Sequence, residues 1–349
     1  MAERVMLCER PLAVRCGAFG DMVLLTALIR ELAARFERPV DIVTSGPWSE
    51  PLLRGQPGVG DIFTVRSRKT PYWLSIDQHR VVRQLRARGA GPAWFCDGND
   101  AAKPMLWRAG FAADCIVDVT DHPLLPGEHA SEQWRRLARI MPSVLHAREF
   151  KDPEVLPGCY LQVSAGQRSD LHAWLRARGL QHGPLIAVQP GNKRTMRRGL
   201  RRLAVNSKYW PNERWAEVLR FLHAARPLHT LVLLGTGPEY ALNQEIATLA
   251  GIDRLHNAAD DLPIPRLVAL LAHADALVTV DSGPAHAAAA VGCPQVVLFG
   301  KALASLYRPR GVAGADVKVV CGTLDGEPDM LGIQTGDVIE AWDSLIPRR

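Results

Sequence analysis

The sequence predicts an α/β protein made of two doubly wound, Rossmann-like domains. Three observations carry that prediction. Short apolar runs rich in β-branched residues alternate with amphipathic helical stretches from Pro11 onward. The alternation fades into prolines and glycine between Lys151 and Gly166, then restarts at Leu185. A chain of 349 residues also exceeds what one ordinary core organises.

Pro11–Cys16 reads as a buried strand, followed by the turn Gly17-Ala18-Phe19-Gly20-Asp21 and by Met22–Phe36, where Arg30, Glu31 and Arg35 recur at helical spacing. Further strands are expected at Val40–Thr44, Asp61–Val65 and Ala93–Cys96, with helices at Ser75–Arg88, Ala101–Phe111 and Ala130–Met141. Leu171–Arg178 reads as a short helix and Gly179–Pro184 as a linker. The first domain is therefore placed at residues 1–166 and the second at 180–349. In the second, strands are expected at Leu185–Val188, Thr230–Leu234, Ala276–Val280, Gln295–Phe299 and Val317–Val320. The helices between them are Glu213–His223, Glu239–Leu249 and Pro263–Ala272. A last helix near Gly336–Leu345 has the option of packing back on the first domain.

The stretch from Ala276 to Gly300 has the clearest organisation. Asp281 ends a buried strand, Ser282 suits a helix N-cap, Gly283 permits a tight turn and Pro284 suits the first helical position. The alanines from Ala285 to Ala290 allow that helix to lie close against a sheet, and Gly292 stops it. An acid, a hydroxyl, freed backbone N–H groups and His286 thus gather at one helix N-terminus. That arrangement fits either a well-capped βαβ unit or a site for a phosphate and its sugar.

Composition narrows the classes. A formal charge of +6 favours anionic partners such as nucleotides, phosphorylated lipids or acidic membrane surfaces, and no nucleic-acid-binding motif accompanies it. The seven cysteines are scattered and form no C-x-x-C pair, which supports neither a zinc site nor a disulfide framework. The N-terminus carries acids and a proline where a signal peptide needs an apolar core, and no run is long enough to span a membrane. A cytoplasmic protein, in peripheral contact with a membrane at most, is expected. The first turn is G-x-x-G-D rather than G-x-G-x-x-G, which argues against a nicotinamide or flavin enzyme.

Four places could carry chemistry. Asp21 lies in the first turn of a helix, at the carboxyl end of the first strand. There it either complements the helix dipole or faces a ligand. Seven basic residues fall between Lys193 and Lys208, ending in Lys208-Tyr209-Trp210-Pro211; most read as a solvated loop. Glu239 follows the glycine turn Gly235-Thr236-Gly237, again either as a first-turn acid or as a ligand contact. Asp281, Ser282, Gly283 and His286 form the fourth group.

The order DSGPAH…AVGCP…LFG closely resembles the signature of the ADP-heptose:lipopolysaccharide heptosyltransferase family, glycosyltransferase family 9. G-x-x-G-D and K-x-W-P accompany it, and the resemblance runs from Cys16 to the last helix. It implies a GT-B architecture, two Rossmann-like domains facing across a cleft, and inverting transfer of a heptose-like sugar from a nucleotide-diphosphate donor, with ADP-heptose foremost. By that match Asp21 is the catalytic base and Gly17 and Gly20 face the acceptor. Lys208 binds the donor diphosphate and Glu239 the ribose. Ser282 and Gly283 give backbone contacts to the diphosphate, and Asp281 and His286 position the sugar. No metal and no other cofactor are implied, since D-x-D is missing and Lys208 with the helix N-terminus neutralises the leaving group. The implied partners are a nucleotide-sugar donor and an anionic glycan or glycolipid acceptor, at the cytoplasmic face of the inner membrane. Arg68, Lys69 and Lys103 hint at that acceptor's charge. The family usually continues after Gly300 with proline and a small hydroxyl residue, whereas Lys301-Ala302 stand here. A family member using another nucleotide sugar on another acceptor, and a non-catalytic two-domain binding protein, are the alternatives.

Overall fold

The computed structural model describes residues 8–68, 70–192 and 207–346. They form two compact units, Met1–Cys159 and Tyr160–Arg349.

The first unit runs β1 (Leu12–Arg15), α1 (Phe19–Phe36), β2 (Val40–Ser45), α2 (Ser49–Leu53), β3 (Val59–Val65), α3 (Ile76–Arg88), β4 (Ala93–Phe95), α4 (Lys103–Arg108), β5 (Ile116–Asp118), α5 (Ala130–Arg139). Its five strands are parallel in the order β3-β2-β1-β4-β5. Val14 sits beside Val43 on one neighbour and Phe95 on the other, and all three are buried, as the apolar runs require of a sheet covered on both faces. Helix α1 packs on α5, and the fully buried Glu31 between them meets the Arg139 guanidinium at 2.9 Å. β5 has no counterpart in the sequence reading: its apolar run stops after Ile116 and Val117, at Asp118.

The second unit opens with α6 (Ala165–Ala177) and continues β6 (Leu185–Gln189), α7 (Asn212–Ala225), β7 (Thr230–Leu233), α8 (Tyr240–Ala250), β8 (Leu255–Asn257), α9 (Ile264–His273) and β9 (Ala276–Val280). It ends with α10 (Gly283–Ala290), β10 (Gln295–Phe299), α11 (Ala304–Tyr307), β11 (Val317–Cys321), the hairpin β12 (Thr323–Leu324) and β13 (Glu327–Pro328), and α12 (Thr335–Asp343). Six parallel strands lie in the order β11-β10-β9-β6-β7-β8. The last helix, α12, packs on β10, β11 and α7 of its own unit. The alanine face of α10 is buried, and the turn at Gly311 lies so close to the Ala289 carbonyl that no Cβ would fit.

The division after Cys159 falls earlier than the prolines and glycines suggest. Helix α6 begins at Ala165 because Ser164 and Gln167 form a capping box. It is fastened to the second unit by Asp170 on Arg266, at 2.8 and 2.9 Å, and by the Trp174 indole N–H on Asp261 at 2.9 Å. Those contacts lie about ninety residues apart in sequence, beyond any local signal.

All seven cysteines are thiols, and burial pushes the Cys16 and Cys159 thiols up to about 12. At that position they are inert packing groups. No helix among the described residues is long and apolar enough to cross a membrane.

Candidate donor and acceptor sites

In each unit the strand order reverses at one point, β1/β4 in the first and β6/β9 in the second. Ligands of open α/β sheets bind outside the carboxyl ends of the strands at such points. The sequence-marked residues gather at both.

At β1/β4, Gly17 and Asp21 stand over the first turn of α1. Asp21 accepts the Ala18 backbone N–H on Oδ2 at 2.7 Å and the Arg15 guanidinium on Oδ1 at 2.9 Å, and 36% of its side chain is exposed. Gly17 is glycine because a Cβ there would lie 2.5 Å from Asp21 Cβ. Its carbonyl accepts the Trp48 indole N–H at 3.0 Å. Gly20 is part of α1. Arg15 also donates to the Cys96 carbonyl at 2.7 Å, so it ties the end of β1 to the end of β4. Asp97, buried just past β4, accepts the Cys16 N–H at 2.9 Å and Arg68 at 2.7 Å. Two of the cations read as hints of an anionic acceptor are therefore occupied internally. Arg68 is on Asp97, and Lys103 is on Asp118 and on Asp100 at 2.7 Å. Lys69 lies outside the described residues.

At β6/β9, Lys208 reaches over the end of β9. Its ammonium lies 2.6 Å from Asp281 Oδ2 and donates to the Asp281 carbonyl at 2.9 Å. The aromatic residue of K-x-W-P holds it there. Trp210 is buried, meets Trp215 edge-on at 5.0 Å and donates its indole N–H to the Ile333 carbonyl at 3.0 Å. Gly300 closes the same corner, since a Cβ there would collide with the Ser207 carbonyl. Ser282 occupies the N-cap position of α10 but caps nothing with its side chain: its Oγ lies 3.1 Å from the Thr279 hydroxyl instead. The N–H groups of Gly283 and Ala285 are left without a partner inside the helix, and Pro284 between them has none to donate. His286, in the first turn of α10, is buried.

Glu239 ends a short 3₁₀ turn, Gly237–Glu239, ahead of α8. Its carboxylate turns back to accept the Thr236 N–H at 2.9 Å and the Thr236 hydroxyl at 2.7 Å, and the Gln189 amide approaches it at 3.5 Å. Burial raises its pKa, and the two Thr236 bonds oppose that rise. Gly191 faces it with no room for a Cβ. Glu239 is thus a buried capping residue of the turn before α8. The arginine-rich segment before Ser207 lies outside the described residues. Among the described residues, no group of three or more His, Cys, Asp or Glu is placed to hold a metal ion.

The profile of glycosyltransferase family 9 (heptosyltransferase) matches residues 125–325, more than half of the chain. The chain belongs to this family of glycosyltransferases. Lipopolysaccharide heptosyltransferase 2 of Salmonella typhimurium is 24% identical over 321 residues, covering 87% of this chain and 86% of that protein. Lipopolysaccharide heptosyltransferase 3 of Escherichia coli is 32% identical over 140 residues, 36% of this chain and 40% of that protein. Among solved structures, the E. coli ADP-heptose lipopolysaccharide heptosyltransferase II superposes with a TM-score of 0.72 at 21% identity, covering 96% and 98% of the two chains. A family 9 enzyme from Veillonella parvula gives 0.77 at 16% identity, covering 97% of each. The fold is the GT-B fold of these enzymes.

In this glycosyltransferase the sequence reading missed Arg15 and the role of Asp97. Both carried a signal. Arg15 is the one charge in an otherwise apolar strand. Asp97 follows a buried strand directly, as Asp281 does.

Proposed function

We propose that this family 9 glycosyltransferase moves a heptose from ADP-heptose, with inversion, to a hydroxyl of a lipopolysaccharide-core acceptor in the cytoplasm. The observation that carries the reading is the Lys208 ammonium fixed on Asp281 beside the N-terminus of α10. A cation and a set of outward N–H groups at one switch point suit a diphosphate whose charge grows as the sugar leaves. The names of the relatives, heptosyltransferases 2 and 3, support heptose as the sugar.

In this reading Asp21 takes the proton of the acceptor hydroxyl as its oxygen attacks the anomeric carbon. The bond from that carbon to the diphosphate oxygen breaks on the opposite face, and ADP departs onto Lys208 and the α10 N–H groups. Each Asp21 oxygen spends one lone pair on Ala18 or Arg15 and keeps another for a proton. Arg15 and Ala18 together fix the carboxylate's orientation. Gly283 lets the diphosphate approach the backbone, Asp281 and His286 contact the sugar, and Glu239 shapes the ribose end.

The test is a pair of variants read by calorimetry with ADP and by transfer from ADP-heptose. Asp21→Asn is expected to lower turnover by about 10²–10⁴-fold while ADP affinity holds. Lys208→Ala is expected to weaken ADP by about tenfold or more. Wild-type turnover in the first, or unchanged ADP affinity in the second, overturns the assignment. A thermal-shift panel in which another nucleotide sugar stabilises the protein more than ADP-heptose refutes the choice of donor.

A further inference from the structure

We propose that the first unit docks on an anionic bilayer surface through Trp73, Leu74 and Ile76, backed by Arg80 and Arg83 of α3.

Trp73 and Leu74 sit on a single 3₁₀ turn, Tyr72–Leu74, and Ile76 is the first residue of α3. They are 75%, 57% and 86% exposed. Three large apolar side chains within four residues, all in water, are a surface that a soluble chain normally hides. They are not a frayed loop. Tyr72 turns inward, its ring 4.1 Å from the His79 ring and 4.4 Å from the Arg108 guanidinium. Ser75 is buried and caps α3 through the Gln78 N–H, and the Gln78 amide donates to the Ser67 and Thr70 carbonyls at 3.0 and 2.8 Å. With Tyr72, Ser75 and Gln78 committed inward, the residues between them are held outward by the backbone.

The charge beside them selects the occupant. Ile76, Arg80 and Arg83 are spaced by four and three residues, so they share one stripe of α3. Arg80 and Arg66 share the single carboxylate of Asp77, and Arg83 pairs with no carboxylate among the described residues. An indole and two aliphatic side chains beside arginines that outnumber their one carboxylate match the headgroup boundary of a bilayer, where tryptophan lies among the headgroups and arginine meets lipid phosphate. A second copy on the same edge would bring like-charged arginines together.

Co-sedimentation with vesicles of phosphatidylcholine alone, and of phosphatidylcholine mixed with phosphatidylglycerol, tests this. The wild-type protein is expected on the mixed vesicles and scarcely on the neutral ones. Trp73→Ser/Leu74→Ser/Ile76→Ser should lose about tenfold or more of that binding, with an unchanged circular dichroism spectrum and melting profile. Arg80→Gln/Arg83→Gln should lose about fivefold per arginine, on the mixed vesicles only. Brominated lipid should quench wild-type fluorescence, and Trp73→Phe should abolish most of the quenching. Wild-type protein that stays in the supernatant overturns the proposal. So do a triple variant that binds like wild type and a triple variant that alters only the sedimentation coefficient of the lipid-free protein.

Discussion

Replacing Gly17 by alanine tests the acceptor-side turn without removing any functional group. A Cβ at residue 17 would lie 2.5 Å from Asp21 Cβ and 2.8 Å from its Oδ2. Non-bonded carbons settle about 3.5–4 Å apart, so something has to move by about 1 Å. Asp21 Cβ is fixed to the backbone in the first turn of α1 and cannot rotate away, so the turn or the carboxylate must give. The bond from the Ala18 N–H to Oδ2, 2.7 Å here, is the first to stretch. Loss of such a cap costs about 0.5–2 kcal/mol, and overpacking of this kind about 1–3 kcal/mol. A base displaced by about 1 Å loses on the order of 10²-fold in turnover. The assay is transfer from ADP-heptose, beside ADP affinity by calorimetry and a urea unfolding curve. Turnover should fall by that factor, the transition of the first unit should move to lower urea, and ADP affinity should stay, because Lys208 and α10 belong to the second unit. Gly17→Ala with wild-type turnover and stability would refute both the tightness of the turn and the role given to Asp21.

Two further outcomes follow from the second unit. Trp210→Phe removes the indole donor to Ile333 and leaves a gap beside Trp215, at a cost of about 1–3 kcal/mol, and it loosens Lys208 two residues away. Melting and ADP titration should both shift, and a variant that loses stability with unchanged ADP affinity would separate Lys208 from its anchor. His256 gives a pH dependence. Burial first and Arg178 second lower its pKa from the ordinary 6.5, so the folded state prefers the neutral ring while the unfolded chain takes up a proton as pH falls past that value. Stability is therefore retained above about pH 6.5 and lost below it, at up to about 1.4 kcal/mol per unit until the folded ring titrates as well. His256→Gln should flatten the slope of melting temperature between about pH 7 and pH 5, and a slope equal to that of wild type would refute the assignment.

The two α/β halves and the residues at their strand ends were legible in the sequence, because a strand buried on both faces must be apolar along its length and a tight turn needs glycine. Asp21 and Asp281 mark ends of that kind, whereas Lys208 stands out only through the family resemblance. Ser282 shows where such reading stops: its type suits a cap, and the neighbouring Thr279 hydroxyl takes it instead. The ion pairs of Arg68 with Asp97 and of Lys103 with Asp118 are hidden from such reading, since those partners lie fifteen to twenty-nine residues away in sequence. The short strands β5 and β8 include polar residues and lack the continuous apolar run that marks the equally short β4. Local pattern thus determined the elements and the positions of the turns. Only the tertiary structure decided that Arg15 orients Asp21, that Lys208 rests on Asp281, and that α6 belongs to the second unit, because each depends on side chains brought together by the sheet order.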